Sequence, residues 1–359
     1  MRRFILKNVV FLGILSMAAL PPTLLYINRD VYEDFGYHKN YSWKYNFQGL
    51  GDIATKKLLQ SSLPYNSFIF GSSRSADLYA CYLNKKIKNS CFFHYANWFE
   101  TIGGIYAKLK LLDSLNYKID NAVIYLDTDG ITFKDDGRIS VTEHYLLTNQ
   151  SRANYYFTHY KMFFSSFTMD KLKILLGIRV SGIVFPNWES DLKTNDHRHI
   201  CSERILDGYG NTEMDQAYIG KIDSLRRTGV LFERSSFSQP RREKKQISVN
   251  EENILLKIHE LFKRHDTNYY IVITPLYDQM QFDSSDMEIL RTIFGNRIYD
   301  FSGVNEITNN EYNYLDGIHF RPCISKQMID SILCHPYAEG RAFLVPAQSS
   351  VLKTVGLKH

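Results

Sequence analysis

The chain has 359 residues, 44% hydrophobic and 14% aromatic, enough for one large domain or one domain with a sizeable insertion. Its 25 tyrosines and 23 phenylalanines argue for a real core and against disorder. A net charge of +5 is too mild to imply nucleic acid, and the one basic run, Arg241-Arg242-Glu243-Lys244-Lys245, reads as a solvated loop.

At the N-terminus, Arg2, Arg3 and Lys7 precede an apolar stretch from Val9 to Ile27, about long enough to span a bilayer. Basic residues stay on the cytoplasmic side, which places the rest of the chain outside the cytoplasm. Pro21-Pro22 interrupts the stretch and leaves Val9 to Leu20 as an alternative signal-peptide core. Thr23 to Ile27 continues the apolar run, and no small-x-small cleavage site is clear, which favours a retained transmembrane anchor over residues 1–28. The remaining alternative is a buried N-terminal helix. Residues 29–63 read as a polar and aromatic connector.

Five short apolar runs then read as buried parallel strands: Ser67 to Phe70, Cys91 to Tyr95, Ala122 to Leu126, Tyr269 to Thr274 and Arg297 to Phe301. Helices fit between them. Thr101 to Asn116 places Ile102, Ile105, Leu109 and Leu112 on one face. Ser248 and Glu251 have capping-box spacing ahead of a stripe of Ile254, Ile258, Leu261 and Phe262. Asp286 to Phe294 is stopped by Gly295, and Pro322 suits a first helical position before Ile324, Met328, Ile329 and Ile332. Strands alternating with helices imply a parallel α/β sheet with helices on both faces.

Residues 135–247 break this rhythm and read as an inserted cap between the halves of the core, 64–134 and 248–336. The insertion carries aromatic clusters (Tyr155-Tyr156-Phe157, Phe163-Phe164), a helical stretch from Met169 to Ile178 and a turn at Gly208-Tyr209-Gly210-Asn211. Residues 337–359 form a C-terminal tail, expected to be loosely ordered after Gly340. The five cysteines, Cys81, Cys91, Cys201, Cys323 and Cys334, have no metal-ligand spacing and imply neither a zinc site nor a disulfide framework. Cys81 and Cys91 could pair, but buried thiols are favoured. His197-Arg198-His199 lacks acidic partners at metal spacing and reads as a plain loop.

Two motifs carry chemistry. Gly71-Ser72-Ser73-Arg74-Ser75 follows the first strand and reads as a tight glycine turn into a helix beginning near Ser75. This lifts a serine hydroxyl to a helix N-terminus, where amides and the helix dipole favour an oxyanion. By itself the motif is better read as simple helix capping by Ser72 and Ser73. Asp316-Gly317-Ile318-His319 puts a carboxylate three residues before an imidazole, ahead of the helix at Pro322. Ser73, His319 and Asp316 together supply a nucleophile, its base and the orienter of that base. Arg74 pairs with Asp77 or with an anionic substrate group, and His94 reads as packing at a strand end.

This layout resembles the SGNH (GDSL-type) hydrolase superfamily, whose first block is Gly-Asp-Ser and whose last is Asp-x-x-His. Gly71-Ser72-Ser73 matches the first, with Ser72 in place of the aspartate, and Asp316 and His319 match the last. The resemblance spans about residues 64–134 and 250–335. It implies a flavodoxin-like three-layer sandwich around a mainly parallel five-stranded sheet, with Ser73 as nucleophile, His319 as base and Asp316 as orienter. The Gly-Ser-Ser variant is similar to membrane-anchored exported proteins of teichoic acid D-alanylation and alginate acetylation. That similarity implies an acyl donor, a carbohydrate acceptor, a multi-span membrane O-acyltransferase as partner, and no cofactor.

Two blocks depart from the family. Where its second block offers an oxyanion-hole glycine, this chain reads His94-Tyr95-Ala96-Asn97-Trp98-Phe99-Glu100, with Gly103-Gly104 later. Where its third block is Gly-x-Asn-Asp, this chain reads Asp127-Thr128-Asp129-Gly130, with Asp129 in the asparagine position. An ionised carboxylate cannot donate to an oxyanion and would repel it. Either Asp129 is displaced, or it is protonated, or stabilisation rests on the Ser73 amide and its neighbours. Gly71, Ser72, Arg74, Asn97 and Asp129 are the surrounding candidates for oxyanion or substrate contacts. The expected activity is serine acyl transfer to a glycan or ester hydrolysis. The alternatives are a non-catalytic binding or scaffolding protein on the same fold, or a secreted lipase.

Overall fold

The computed structural model describes residues 2–29, 32, 34–35, 50–75, 78–97, 99–132, 143–148, 150–165, 222–229, 231 and 241–334. Strands β1 (Ser67–Phe70), β2 (Phe92–His94), β3 (Asn121–Leu126), β4 (Asn268–Ile273) and β5 (Ile298–Asp300) form one sheet. Its order is β2-β1-β3-β4-β5, and every neighbouring pair is parallel. The expected strands are all present, with no end displaced by more than one residue: β2 and β5 are one shorter at each end, β3 and β4 start one residue earlier, and β4 also ends one earlier.

Alternation along each strand divides the core. Phe68, Phe70, Ile124, Leu126, Ile271 and Ile273 point to one face. There they meet α2 (Leu50–Gln60), α4 (Ile102–Ser114), α8 (Val249–Arg264) and α9 (Ser284–Phe294). Ile69, Val123, Tyr125 and Val272 point to the other, against α3 (Ala80–Lys86) and α11 (Pro322–Cys334). Both faces are thus covered by helices, as an all-parallel sheet requires. The expected apolar stripes of α4, α8 and α11 are the buried ones, with Ile254 of α8 partly covered. The remaining described helices are α1 (Arg2–Arg29), α5 (Thr128–Thr132), α6 (Arg152–Ser165), α7 (Ile222–Arg227) and α10 (Glu306–Asn309).

Local chemistry sets the helix ends. Ser248 and Glu251 form the expected capping box on α8. Asp283 caps α9, and Gly295 ends it with a φ of +62°. Thr101 caps α4, its hydroxyl accepting from Gly104 N–H at 3.1 Å.

Three expectations need correction. The N-terminal segment is helical as α1, but among the described residues no helix is long and apolar enough to cross a membrane. Arg2, Arg3 and Lys7 occupy its first turns and Asn28 and Arg29 its last, and its end is tied to the globular body. The Thr23 and Tyr160 hydroxyls share a hydrogen bond at 3.0 Å, and the buried Tyr26 donates to Asp34 at 2.6 Å. Secondly, the connector contains α2, which buries Asp52, Thr55 and Lys56 beside Ala54 and Leu58. Thirdly, Cys91, Cys323 and Cys334 are free thiols, but Cys81 is in a disulfide whose partner lies outside the described residues. The helix over Met169 to Ile178, the turn at Gly208, the His197-Arg198-His199 run and the tail after Gly340 also lie outside them. Arg241, Arg242, Lys244 and Lys245 are exposed, as a solvated loop should be.

Candidate active site

β1 ends at Phe70 and the chain turns at once. Gly71 has a φ of +153°, and a Cβ there would stand 2.9 Å from the Cβ atoms of both Ser75 and Tyr125. Only glycine meets both demands. The turn then tightens into a single 3-10 turn over Ser73–Ser75. Ser72 O accepts from Ser75 N–H at 2.9 Å and from Ser75 Oγ at 2.8 Å. The α-helix expected to open near Ser75 begins instead at Ala80, after the uncapped Tyr79. The Ser75 hydroxyl, bonded back to the Ser72 carbonyl, competes with helix propagation.

This turn leaves Ser73 half-buried, with Oγ 2.9 Å from His319 Nε2 across 246 positions of sequence. His319 Nδ1 lies 2.8 Å from Asp316 Oδ2. Because Nδ1 faces a carboxylate it carries the ring hydrogen, and Nε2 is left to accept from the serine. The other carboxylate oxygen, Asp316 Oδ1, accepts from the backbone N–H groups of Ile318 and His319, both at 2.7 Å. Leu315 N–H donates to His319 O at 2.8 Å, and Tyr314 bridges to Phe320, closing the turn at its base. Burial pushes the Asp316 carboxyl up. The His319 hydrogen bond and charge and the two backbone donors outweigh it and hold the group below the usual carboxylate range.

The surrounding candidates take other roles. Ser72, buried, donates from Oγ to Asp127 Oδ2 at 3.1 Å. Arg74 Nη1 is 2.5 Å from the same oxygen, and Nη2 is 3.6 Å from Asp129 Oδ2. The Arg74 ion pair is therefore with Asp127 and Asp129; Asp77 lies outside the described residues. Asp129 points outward, its side chain 72% exposed beside that guanidinium. Asn97 is buried, and its side-chain amide donates to Glu143 while its backbone N–H donates to Gly71 O at 3.2 Å. It braces the Ser73 turn from behind. His94 is a buried support, its Nε2 3.2 Å from Ser75 Oγ. Burial first, and the charge of Lys108 next, hold the His94 ring down at about 4, so it is neutral.

Two groups escaped the sequence reading. Asp127, buried at the end of β3, accepts from Ser72, Arg74 and Gly130 N–H. In the sequence it stands only as the opening residue of the third block, where the family has glycine, and has no role of its own. Glu143 carried no signal at all, since nothing near it in sequence marks it as a partner of Asn97. Between Asn97 and Glu100 the chain crosses toward α5, where a Cβ at Gly130 would meet Glu100 O at 3.2 Å. Phe99 on this crossing has a φ of +53° and is 61% exposed. Such a backbone is strained for a bulky residue, and it is held by the buried Asn97 and the buried Glu100, the latter paired with Lys108. Ile318, beside His319, is also exposed.

Among the described residues no group of three or more His, Cys, Asp or Glu side chains could hold a metal ion. In comparisons with known proteins, no family model and no curated protein sequence matches the chain.

Proposed function

We propose that the chain is an exported, membrane-associated serine acyltransferase or esterase of SGNH type, acting on a cell-surface or exported polysaccharide. The observation that carries this reading is the unbroken relay from Ser73 Oγ through the His319 ring to Asp316, at 2.9 and 2.8 Å. His319 Nε2 takes the serine proton as Oγ attacks the acyl carbonyl, and Asp316 stabilises the imidazolium that forms. The imidazolium returns the proton to the leaving alcohol, and Ser73 holds the acyl group as an ester. A carbohydrate hydroxyl, or water, then gives its proton to His319 and attacks that ester; the Ser73 Oγ–acyl bond breaks, the new ester or free acid leaves, and His319 returns the proton to Ser73 Oγ. The Asn97 side-chain amide is engaged with Glu143, so the oxyanion falls to the backbone amide of Ser73 and its neighbours. Phe99 and Ile318 offer apolar surface to the substrate.

Export is supported by the basic start of α1, and by the Cys81 disulfide, which suits an oxidising compartment. The exposed Phe4, Leu6, Val10 and Phe11 of α1 support membrane association. A multi-span O-acyltransferase would supply acyl groups from the cytoplasmic side. A second reading, a non-catalytic partner of such an enzyme, is favoured by the carboxylate of Asp129 where an amide donor would serve an oxyanion.

A fluorophosphonate probe separates the two. Covalent labelling of the wild type that disappears in Ser73→Ala is expected. A folded wild type that stays unlabelled would reject the enzyme and leave the partner.

A further inference from the structure

Arg74 follows the nucleophile directly, yet its side chain is only 9% exposed, so the guanidinium does not face solvent. It reaches two separate segments of the chain, Asp127–Asp129 and the turn at Ile318. Nη1 meets Asp127 at the end of β3, Nη2 approaches Asp129 on α5, and Nε donates to Ile318 O at 3.2 Å. Ile318 lies inside the turn that carries the base. Its N–H is given to Asp316 and its carbonyl accepts from Arg74, so the backbone of this residue is held on both sides while its side chain stays 51% exposed. Asp127 in turn accepts from Ser72, the residue before the nucleophile.

From this geometry we infer that Arg74 is a positioning residue: its guanidinium locks the Asp316–His319 turn against the Ser73 turn and sets their separation. The catalytic meaning of the lock rests on the proposed function, but the lock itself does not. Arginine suits the task because a rigid planar fork with five donors can serve a carboxylate on one edge and a carbonyl on another. A lysine has one compact donor centre. It could keep the charge beside Asp127 but would leave Ile318 O without its donor.

The test is Arg74→Lys, read by hydrogen exchange and by fluorophosphonate labelling. Exchange in the peptide covering residues 315–320 is expected to quicken by at least about tenfold, with β4 as protected as in the wild type. Labelling of Ser73 should slow by on the order of 10²-fold, the cost of a base displaced by about an ångström. Unchanged exchange in 315–320 overturns the lock, as does loosening spread evenly through the sheet, which would mean a merely structural ion pair. Should the variant not fold, the wild type still decides: residues 315–320 must exchange far more slowly than an unstructured loop, and the lock fails if they do not. If the wild type takes no label, the exchange arm still judges the lock while the enzymatic reading falls alone.

Discussion

The Asp316 carboxylate uses its two oxygens differently: one faces the His319 ring, the other holds the backbone of its own turn. Asp316→Asn keeps the shape but removes the charge that fixes the tautomer, and labelling of Ser73 should fall on the order of 10⁴-fold. The pH dependence has a definite sign. The folded pKa is depressed, so this group's contribution to stability is present above the unfolded value of 3.8 and is lost as pH falls through the folded value. The gap between wild type and Asp316→Asn in urea midpoint should therefore be largest near neutrality and close in acid; an equal gap at all pH would count against the assignment. At Gly71 the demand is steric. Gly71→Ala should cost about 1–3 kcal/mol in backbone strain alone, with the overlap against Ser75 and Tyr125 added, seen as a lowered unfolding midpoint and lost labelling. Gly71, Ser73, Asp316 and His319 were readable because each motif is local: a glycine after an apolar run, a carboxylate three residues before an imidazole. The Arg74 contact with Asp127 was not, because 53 residues separate the partners and only the sheet brings them together.

Elements that bury apolar stripes were easy to read, and those that bury charge were not. α4, α8 and α11 follow the 3.6-residue repeat, whereas α2 hides Asp52 and Lys56 among its apolar positions and passed for a polar connector. Lys56 is 2.7 Å from Asp34 and 2.8 Å from Asp52, His159 of α6 meets Asp34 at 2.9 Å, and Tyr26 of α1 donates to it, so Asp34 joins α1, α2 and the inserted region. Apart from Asp52 and Lys56, an i,i+4 pair within α2, these pairings join segments distant in sequence and leave no local pattern. At α8 the local rule holds, and Ser248→Ala should cost about 1 kcal/mol in thermal or urea unfolding through loss of the cap. Glu143 tests the buried charge behind the site. Burial above all, with the charges of Glu100 and Asp52, pushes it up to about 7 against the pull of Lys108 and Asn97. A raised folded value means the stabilising contribution is full below the unfolded 4.5 and is lost as pH rises through the folded value. Glu143→Gln should therefore gain stability relative to wild type between pH 5 and pH 8; a constant offset across that range would reject the assignment.

Across the whole molecule, strand order decides where the chemistry sits. β1 pairs with β2 on one side and β3 on the other, and the chain reverses its direction of travel across the sheet between them. Ser73 follows β1 and Asp127 follows β3, so the candidate site lies at the carboxyl ends of the strands at this switch point, where α/β sheets open a crevice. The parallel sheet was legible from five apolar runs separated by helical patterns. The state of Cys81 was not, because cysteine spacing says nothing about contacts between distant segments. With Cys91, Cys323 and Cys334 free and five cysteines in all, the unfolded, unreduced chain should take up three alkyl groups, and five after reduction. A mass corresponding to five before reduction would remove the bridge.

The 246 positions between Ser73 and His319 also have a consequence for biosynthesis. The first three strands leave the ribosome long before the residues that complete the relay. Until the last helix has emerged and docked, the nascent polypeptide carries an inert hydroxyl with no base beside it. The Ser73–His319–Asp316 relay therefore forms only once the last segments are in place, and a chain truncated before residue 316 would lack it however well its earlier strands had formed.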